Sequence, residues 1–225
     1  MDEVIDIRFL KDQVYILKKY QLTAVEYESV IRDFQYIDLY QRYKQKDEDH
    51  VEKTHLPSIA VVFYKHIFEQ LTPPSPLALI DEYFDYYAEQ IELAASTVIY
   101  CGITYQYDAV VGRILRTYPS LIRDFDFYLR LKDKAQNFQV LYSVKEDIEG
   151  RDIIIKKNGK EYTLSLFVDT KRSQKFKRIK NLFRHHYDNT EIQVPLKLNN
   201  AQQCGDFFLY NESDLVTVLS RLAKL

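Results

Sequence analysis

The chain has 225 residues, 46% hydrophobic and 28% charged, with a formal net charge of −2 from 31 basic and 33 acidic side chains. These values exclude disorder, collagen and coiled coil as the main structure. They leave one large domain or two small ones. No global positive field exists, so any nucleic-acid contact has to come from a local patch.

Five glycines leave little material for tight phosphate-binding loops. Cys101 and Cys204 make neither a zinc spacing nor a disulfide framework, which points to a reducing, cytoplasmic compartment. The N-terminal stretch MDEVIDIRFLKDQ is charged throughout and lacks the apolar segment of a signal peptide. No apolar run is long enough to cross a bilayer, so no membrane association is expected.

Residues 1–135 read as a helical lobe. Thr23 to Glu26 is a capping box, and Tyr27, Val30, Ile31, Phe34 and Ile37 follow at helical spacing. A polar loop at 44–53 precedes a short apolar helix at about 57–71, which the Pro73-Pro74-Ser75-Pro76 cluster ends. Leu79, Ile80, Tyr83, Phe84, Tyr87 and Ile91 mark the next helix. Further helical pattern runs over 107–117 and 120–135, broken at Pro119. The tyrosines of this half, Tyr83, Tyr86, Tyr87, Tyr100, Tyr105 and Tyr107, read mainly as core or lobe-interface groups.

Residues 136–225 change period. Phe138, Val140, Tyr142 and Val144 alternate as in a half-buried strand. The β-branched run 152–156, the Asn158-Gly159 turn signal and the apolar run 162–168 make a hairpin. A helix is expected over 173–187, with Phe176, Ile179, Leu182 and Phe183 on one side. Strands follow at 192–196, where Pro195 demotes the strand to an edge, and at 207–210. Ser213 then caps a terminal helix carrying Leu215, Val216, Leu219 and Leu222. The fold class is α+β: a helical N-terminal lobe followed by a mixed-sheet core.

No GxxxxGK[ST], GxGxxG or GxSxG occurs, so the common nucleotide cradles and the hydrolase elbow are absent. His50, His55 and His66 have no metal-type partner spacing, and the adjacent pair His185-His186 cannot face one way on a helix. One stretch does carry a chemical pattern. Asp152 opens a strand, the Asn158-Gly159 turn follows, and the next apolar strand ends in Asp169-Thr170-Lys171. This stretch, with the element order over about 135–212, resembles the PD-(D/E)XK nuclease superfamily of restriction-endonuclease-like fold. Arg151 stands where that family places a proline.

The resemblance implies a metal-dependent endonuclease that hydrolyses phosphodiester bonds of DNA, with RNA as the other candidate, of the restriction, defence or mobile-element kind. It implies Mg²⁺, with Mn²⁺ as a substitute, held by Asp152 and Asp169, and Lys171 as the group that orients water and offsets phosphorane charge. Glu146, Asp147 and Glu149 are further acids nearby. From Lys171 to His186 the chain carries Lys171, Arg172, Lys175, Lys177, Arg178, Lys180 and Arg184 with no acid. Arg172 to Arg184 are the expected phosphate contacts of a basic helix. The helical lobe is left to contact DNA, a protein partner or a second copy of the chain. The alternative reading is a nuclease fold without activity, serving as a nucleic-acid-binding or assembly module.

Strand parity constrains the site. A two-residue turn at 158–159 sets 152 opposite 165 and leaves Asp169 four residues beyond, on the order of 13 Å away and too far for one cation. A shared ion therefore calls for a four-residue loop over 158–161, or a bulge of equal effect, which makes the two acids diagonal neighbours.

Overall fold

A computed structural model describes residues 5–8, 14–17, 22–44, 51, 56–142, 151–170 and 190–225, with backbone alone for the first two segments. The chain is α+β and forms two compact units. One holds Tyr27–Ile122 together with Gly205–Phe207. The other holds the described residues within Met1–Glu26, Arg123–Cys204 and Phe208–Leu225. The division therefore departs from a single boundary near residue 136.

The first unit is built mainly from helices. Helix α1 (Ala24–Ile31) starts at the expected capping box: Glu26 Oε2 accepts from the Thr23 amide at 2.9 Å, and Thr23 Oγ1 accepts from the Glu26 amide at 3.2 Å. Helix α2 (Tyr36–Tyr43) follows. Helices α3 (Ile59–Gln70) and α4 (Pro76–Tyr86) flank the proline cluster, with Leu71 closing α3 in the left-handed region and Ser75 capping α4 through the Ala78 amide. The core is aromatic, with Tyr27, Phe63, Tyr64, Tyr83 and Tyr118 fully buried.

Helix α5 (Tyr107–Asp133) runs unbroken through Pro119, contrary to the expected break. Proline removes the donor that would satisfy the carbonyl four residues earlier. That carbonyl is Leu115 O, and the buried Tyr36 hydroxyl donates to it at 3.0 Å. The missing bond is replaced by a side chain 79 residues upstream.

The first half is also not purely helical. Strands β1 (Ile5–Arg8) and β2 (Val14–Leu17) pair antiparallel. Strands β3 (Ile91–Ala94), β4 (Thr97–Tyr100) and β5 (Ile103–Gln106) form an antiparallel meander. Each has four residues, too few for the alternation to stand out, yet one side carries the buried Ile91, Val98 and Tyr105 and the other the exposed Glu92, Thr104 and Gln106.

The second unit is centred on a four-stranded mixed sheet in the order β6 (Gln139–Leu141), β7 (Ile153–Lys157), β8 (Lys160–Val168), β9 (Glu191–Leu196). β6, β7 and β8 pair antiparallel, and β9 runs parallel to β8. Tyr162 to Leu166 of β8 are all buried, so this strand is covered on both faces. At the outer edge of β9, Pro195 has no N–H to offer and the Gln193 carbonyl accepts from Arg221 Nη1 at 3.3 Å. Such an edge resists strand addition.

A 3₁₀ turn (Leu198–Asn200), the hairpin β10 (Gln202–Cys204) and β11 (Phe207–Leu209), and helix α6 (Glu212–Ala223) complete the chain. The cap of α6 is Asn211 rather than Ser213: Asn211 and Asp214 form a capping box, and the Ser213 hydroxyl donates to Asn211 Oδ1 at 2.7 Å.

The turn between β10 and β11 belongs to the first unit. Helix α2 has no side-chain cap of its own. Asp206 Oδ2 supplies one, accepting from the Tyr36 and Ile37 amides, both at 2.9 Å. A carboxylate there also complements the helix dipole. Phe207 is buried with its ring 5.4 Å from Tyr36 and 5.7 Å from Tyr118.

Gly205 (φ +54) packs so closely that a Cβ would lie 2.4 Å from the Arg32 carbonyl oxygen, whereas a Cβ on Gly159 (φ +72) meets nothing within 4 Å. Gly205→Ala is therefore expected to destabilise the protein by more than 2 kcal/mol and Gly159→Ala by about 1 kcal/mol, the backbone cost alone. Tyr36→Phe leaves Leu115 O without its donor and is expected to cost about 1–3 kcal/mol. Denaturant unfolding of the three variants checks both the order and the sizes.

Candidate functional site

The Asn158-Gly159 turn has two residues, with φ of +52 and +72, and sets Lys157 opposite Lys160 and Ile153 opposite Leu164. The longer loop or bulge expected from the two acids does not form. Asn-Gly takes positive φ at both central positions at low cost, and this turn matches the twist of its strands. Turn chemistry outweighs the demand that the acids meet.

The ladder between β7 and β8 ends at Ile153. Asp152 lies just before it, half-buried, and its Oδ2 accepts from the Leu166 amide. The carboxylate thus takes the place of the next ladder acceptor and closes the edge of the pairing. Arg151 reaches across the hairpin instead, with Nε donating to Thr163 Oγ1 at 3.0 Å and Nη2 paired with Glu161.

Asp169 is the first residue past β8 and is exposed. Its amide donates to Leu196 O at 2.8 Å, and the Thr170 amide turns back to Val168 O at 2.8 Å. Asp169 stands three residues beyond Leu166, on the order of 10 Å along an extended strand. Two carboxylate oxygens on one Mg²⁺ lie about 4 Å apart. The register sets Asp152 level with residue 165, so the two acids are offset by four residues along β8. Among the described residues, no group of three or more His, Cys, Asp or Glu side chains is arranged to hold a metal.

Lys171, Arg172, Lys175, Lys177, Arg178, Lys180 and Arg184 lie outside the described residues, as do Glu146, Asp147, Glu149, His50, His55, His185 and His186. His66 pairs with Glu82, with Nδ1 2.7 Å from Oε1.

Sequence reading missed a set of buried polar groups in the same unit as Asp152. Arg123 and Asp124 on α5 form a pair at 3.4 Å, with only 9% and 16% of their side chains exposed. Burial raises the Asp124 carboxyl to about 6, against the pull of Arg123 in the other direction. Tyr210, fully buried, donates its hydroxyl to Val194 O at 3.0 Å. Burial pushes that phenol well up, and the charges of Asp124 and Asp152 push it further. Arg130 holds the Tyr210 carbonyl and bonds Glu212 at 3.1 Å. A clue lay in the spacing, because Asp124 and Asp126 interrupt an apolar run that includes Ile122, Phe125, Phe127 and Leu129.

A scan against protein-family models gives no match, and neither curated proteins nor solved structures give a significant match to the chain.

The raised Asp124 carboxyl sets a pH dependence. Folding opposes its ionisation, so its penalty is absent below the ordinary pKa of 3.8, grows as pH rises to about 6, and is constant above that. Relative to Asp124→Asn, the wild-type protein is expected to lose on the order of 2–3 kcal/mol of stability between pH 4 and pH 7. Urea unfolding of both proteins at the two pH values measures this. A difference that does not change with pH removes Asp124 as the source.

Proposed function

We propose that the protein is a nuclease of restriction-endonuclease-like type that acts on DNA. The observation that carries this reading is the sheet: three antiparallel strands, a fourth strand parallel to the third, an acid at the head of β7 and a D-x-K segment leaving β8. Three successive strands followed by a fourth match the strand part of the element order that the resemblance to the PD-(D/E)XK superfamily implies. Asp169 and Lys171 are the residues on which activity rests in this reading, with Mg²⁺ or Mn²⁺ as the cofactor class.

No helix among the described residues is long and apolar enough to cross a membrane. Free Cys101 and Cys204 suit a reducing, cytoplasmic setting. Arg172, Lys175, Lys177, Arg178, Lys180 and Arg184 are the proposed phosphate contacts, and a protein partner or a second copy is a further use of the helical unit.

One observation favours a second reading, a nuclease fold that binds nucleic acid without cutting it. The carboxylate of Asp152 accepts from the Leu166 amide, and the hairpin register offsets it from Asp169 along the sheet. In that case Asp152 is a structural cap on the ladder.

Plasmid cleavage in Mg²⁺, compared with EDTA, separates the two. The nuclease reading expects cutting in Mg²⁺ alone, abolished by Asp169→Asn and by Lys171→Ala with DNA binding nearly intact. Asp152→Asn keeps an acceptor for the Leu166 amide and removes the charge, so loss of cutting in that variant with an unchanged melting temperature assigns Asp152 to the chemistry. Binding in both conditions with cutting in neither establishes the module.

A further inference from the structure

Between the outer edge of β9 and helix α6 lies a groove of about 230 Å³ with an apolar floor that includes Val194, Pro195 and Val218 and with Lys197, Asp214 and Arg221 among its polar lining groups. We infer that this groove binds a phosphate of the nucleic-acid backbone through residues other than those of the basic stretch 171–186. The inference rests on the proposed DNA-binding reading and adds a contact surface to it.

The cations carry it. Lys197 follows directly on Leu196, which is fully buried at the end of β9, so its backbone is fixed while its ammonium is exposed. Arg221 sits in the last turn of α6 and donates one guanidinium nitrogen to Gln193 O at 3.3 Å. That bond holds the side chain across the mouth of the groove and leaves further donors on the same fork. A pre-set guanidinium loses less conformational freedom on meeting a phosphate than a free one.

The acid of the groove, Asp214, is engaged in the capping box: its Oδ2 accepts from the Asn211 amide at 3.0 Å, at the positive end of the α6 dipole. Glu212, on the same turn, is paired with Arg130 and Lys134. Lys197 and Arg221 thus face the groove with its acid already compensated. The side-chain amides of Gln193 and Asn200 and the hydroxyl of Thr217 are neutral groups of the kind that accompany phosphate contacts. An incoming strand meets a blunted edge here, because Pro195 has no N–H to donate and the Gln193 carbonyl already accepts from Arg221.

The test is fluorescence anisotropy of a labelled DNA duplex with the full chain in EDTA, titrated over a range of NaCl. Each phosphate contact contributes about 0.9 to the slope of log K against log salt. Lys197→Ala with Arg221→Gln, which keeps a donor for Gln193 O, is expected to lower the slope by about one unit and to weaken binding several-fold near physiological salt. If the double variant is less stable by thermal melting, Lys197→Ala alone decides, with an expected loss of slope in the same direction and of smaller size. A wild-type slope in variants that still bind DNA overturns the groove as a phosphate site and leaves the DNA-binding reading standing. Absence of duplex binding by the wild-type protein at every salt concentration overturns both.

Discussion

Everything in the mixed sheet is registered from one two-residue turn. Asn158 and Gly159 both take positive φ, which fixes Lys157 against Lys160 and, counting back, Ile153 against Leu164. β8 is buried on both faces and carries β9 in parallel on its other side, so a slip of one residue would turn Leu164 and Leu166 out of their layers and disturb two neighbours at once. The same register decides the fate of Asp152. The ladder runs out one residue before it, the Leu166 amide is left facing β7 without a backbone acceptor, and the Asp152 carboxylate fills that vacancy. A residue that reads as a ligand in the sequence is, in the structure, a hydrogen-bond acceptor that ends a strand pair.

The helical unit depends on a different device. Its chain is interrupted by prolines and irregular loops, and each interruption leaves carbonyls without donors. Tyrosine hydroxyls supply them: Tyr36 to Leu115 O, Tyr83 to Pro57 O, Tyr87 to Ser58 O and Tyr118 to Pro74 O, all between 2.6 and 3.0 Å. A buried tyrosine adds ring packing to the hydrogen bond, which phenylalanine or serine alone cannot do. Burial raises these phenols, Tyr83 to about 12, so they remain protonated donors at any ordinary pH. Nineteen tyrosines in a chain without tryptophan read, on this evidence, as staples for an irregular backbone before they read as stacking platforms.

Local chemistry was legible in the sequence, and distant repair was not. The Thr23–Glu26 capping box, the Asn-Gly hairpin and the apolar run 162–168 were each visible because their cause lies within a few residues. Pro119 was read as a break because its compensation comes from Tyr36, in a different helix. The meander over 91–106 was missed because strands of four residues alternate too briefly to outweigh the helical pattern on either side. Ser213 reads as the cap of the last helix while Asn211 fills that role, because both residue types cap well and only the geometry chooses. The hairpin loop was read as longer than it is because the two acids were assumed to share an ion; the turn signal itself was correct. Asp124 and Arg123 escaped notice because burial of a charged pair within an amphipathic helix leaves only a small mark in composition.

That last omission bears on where chemistry could reside. Desolvating a carboxylate is expensive, and a pair such as Arg123–Asp124 recovers only part of the cost. Packing alone would be served as well by apolar residues of similar volume at these positions. The pair sits on the stretch of α5 that belongs with the mixed sheet, and its charge is felt at Tyr210, as is that of Asp152. Asp169, by contrast, is exposed and hydrogen-bonded through its backbone at the far end of β8. Titratable groups with strongly shifted behaviour gather where a protein uses them more often than elsewhere. The charges of Asp152 and of the Arg123–Asp124 pair both act on the buried Tyr210 hydroxyl, within the unit that holds the mixed sheet. The two locations differ in kind: the Arg123–Asp124 pair is desolvated charge on α5, and Asp169 is exposed charge at the end of β8.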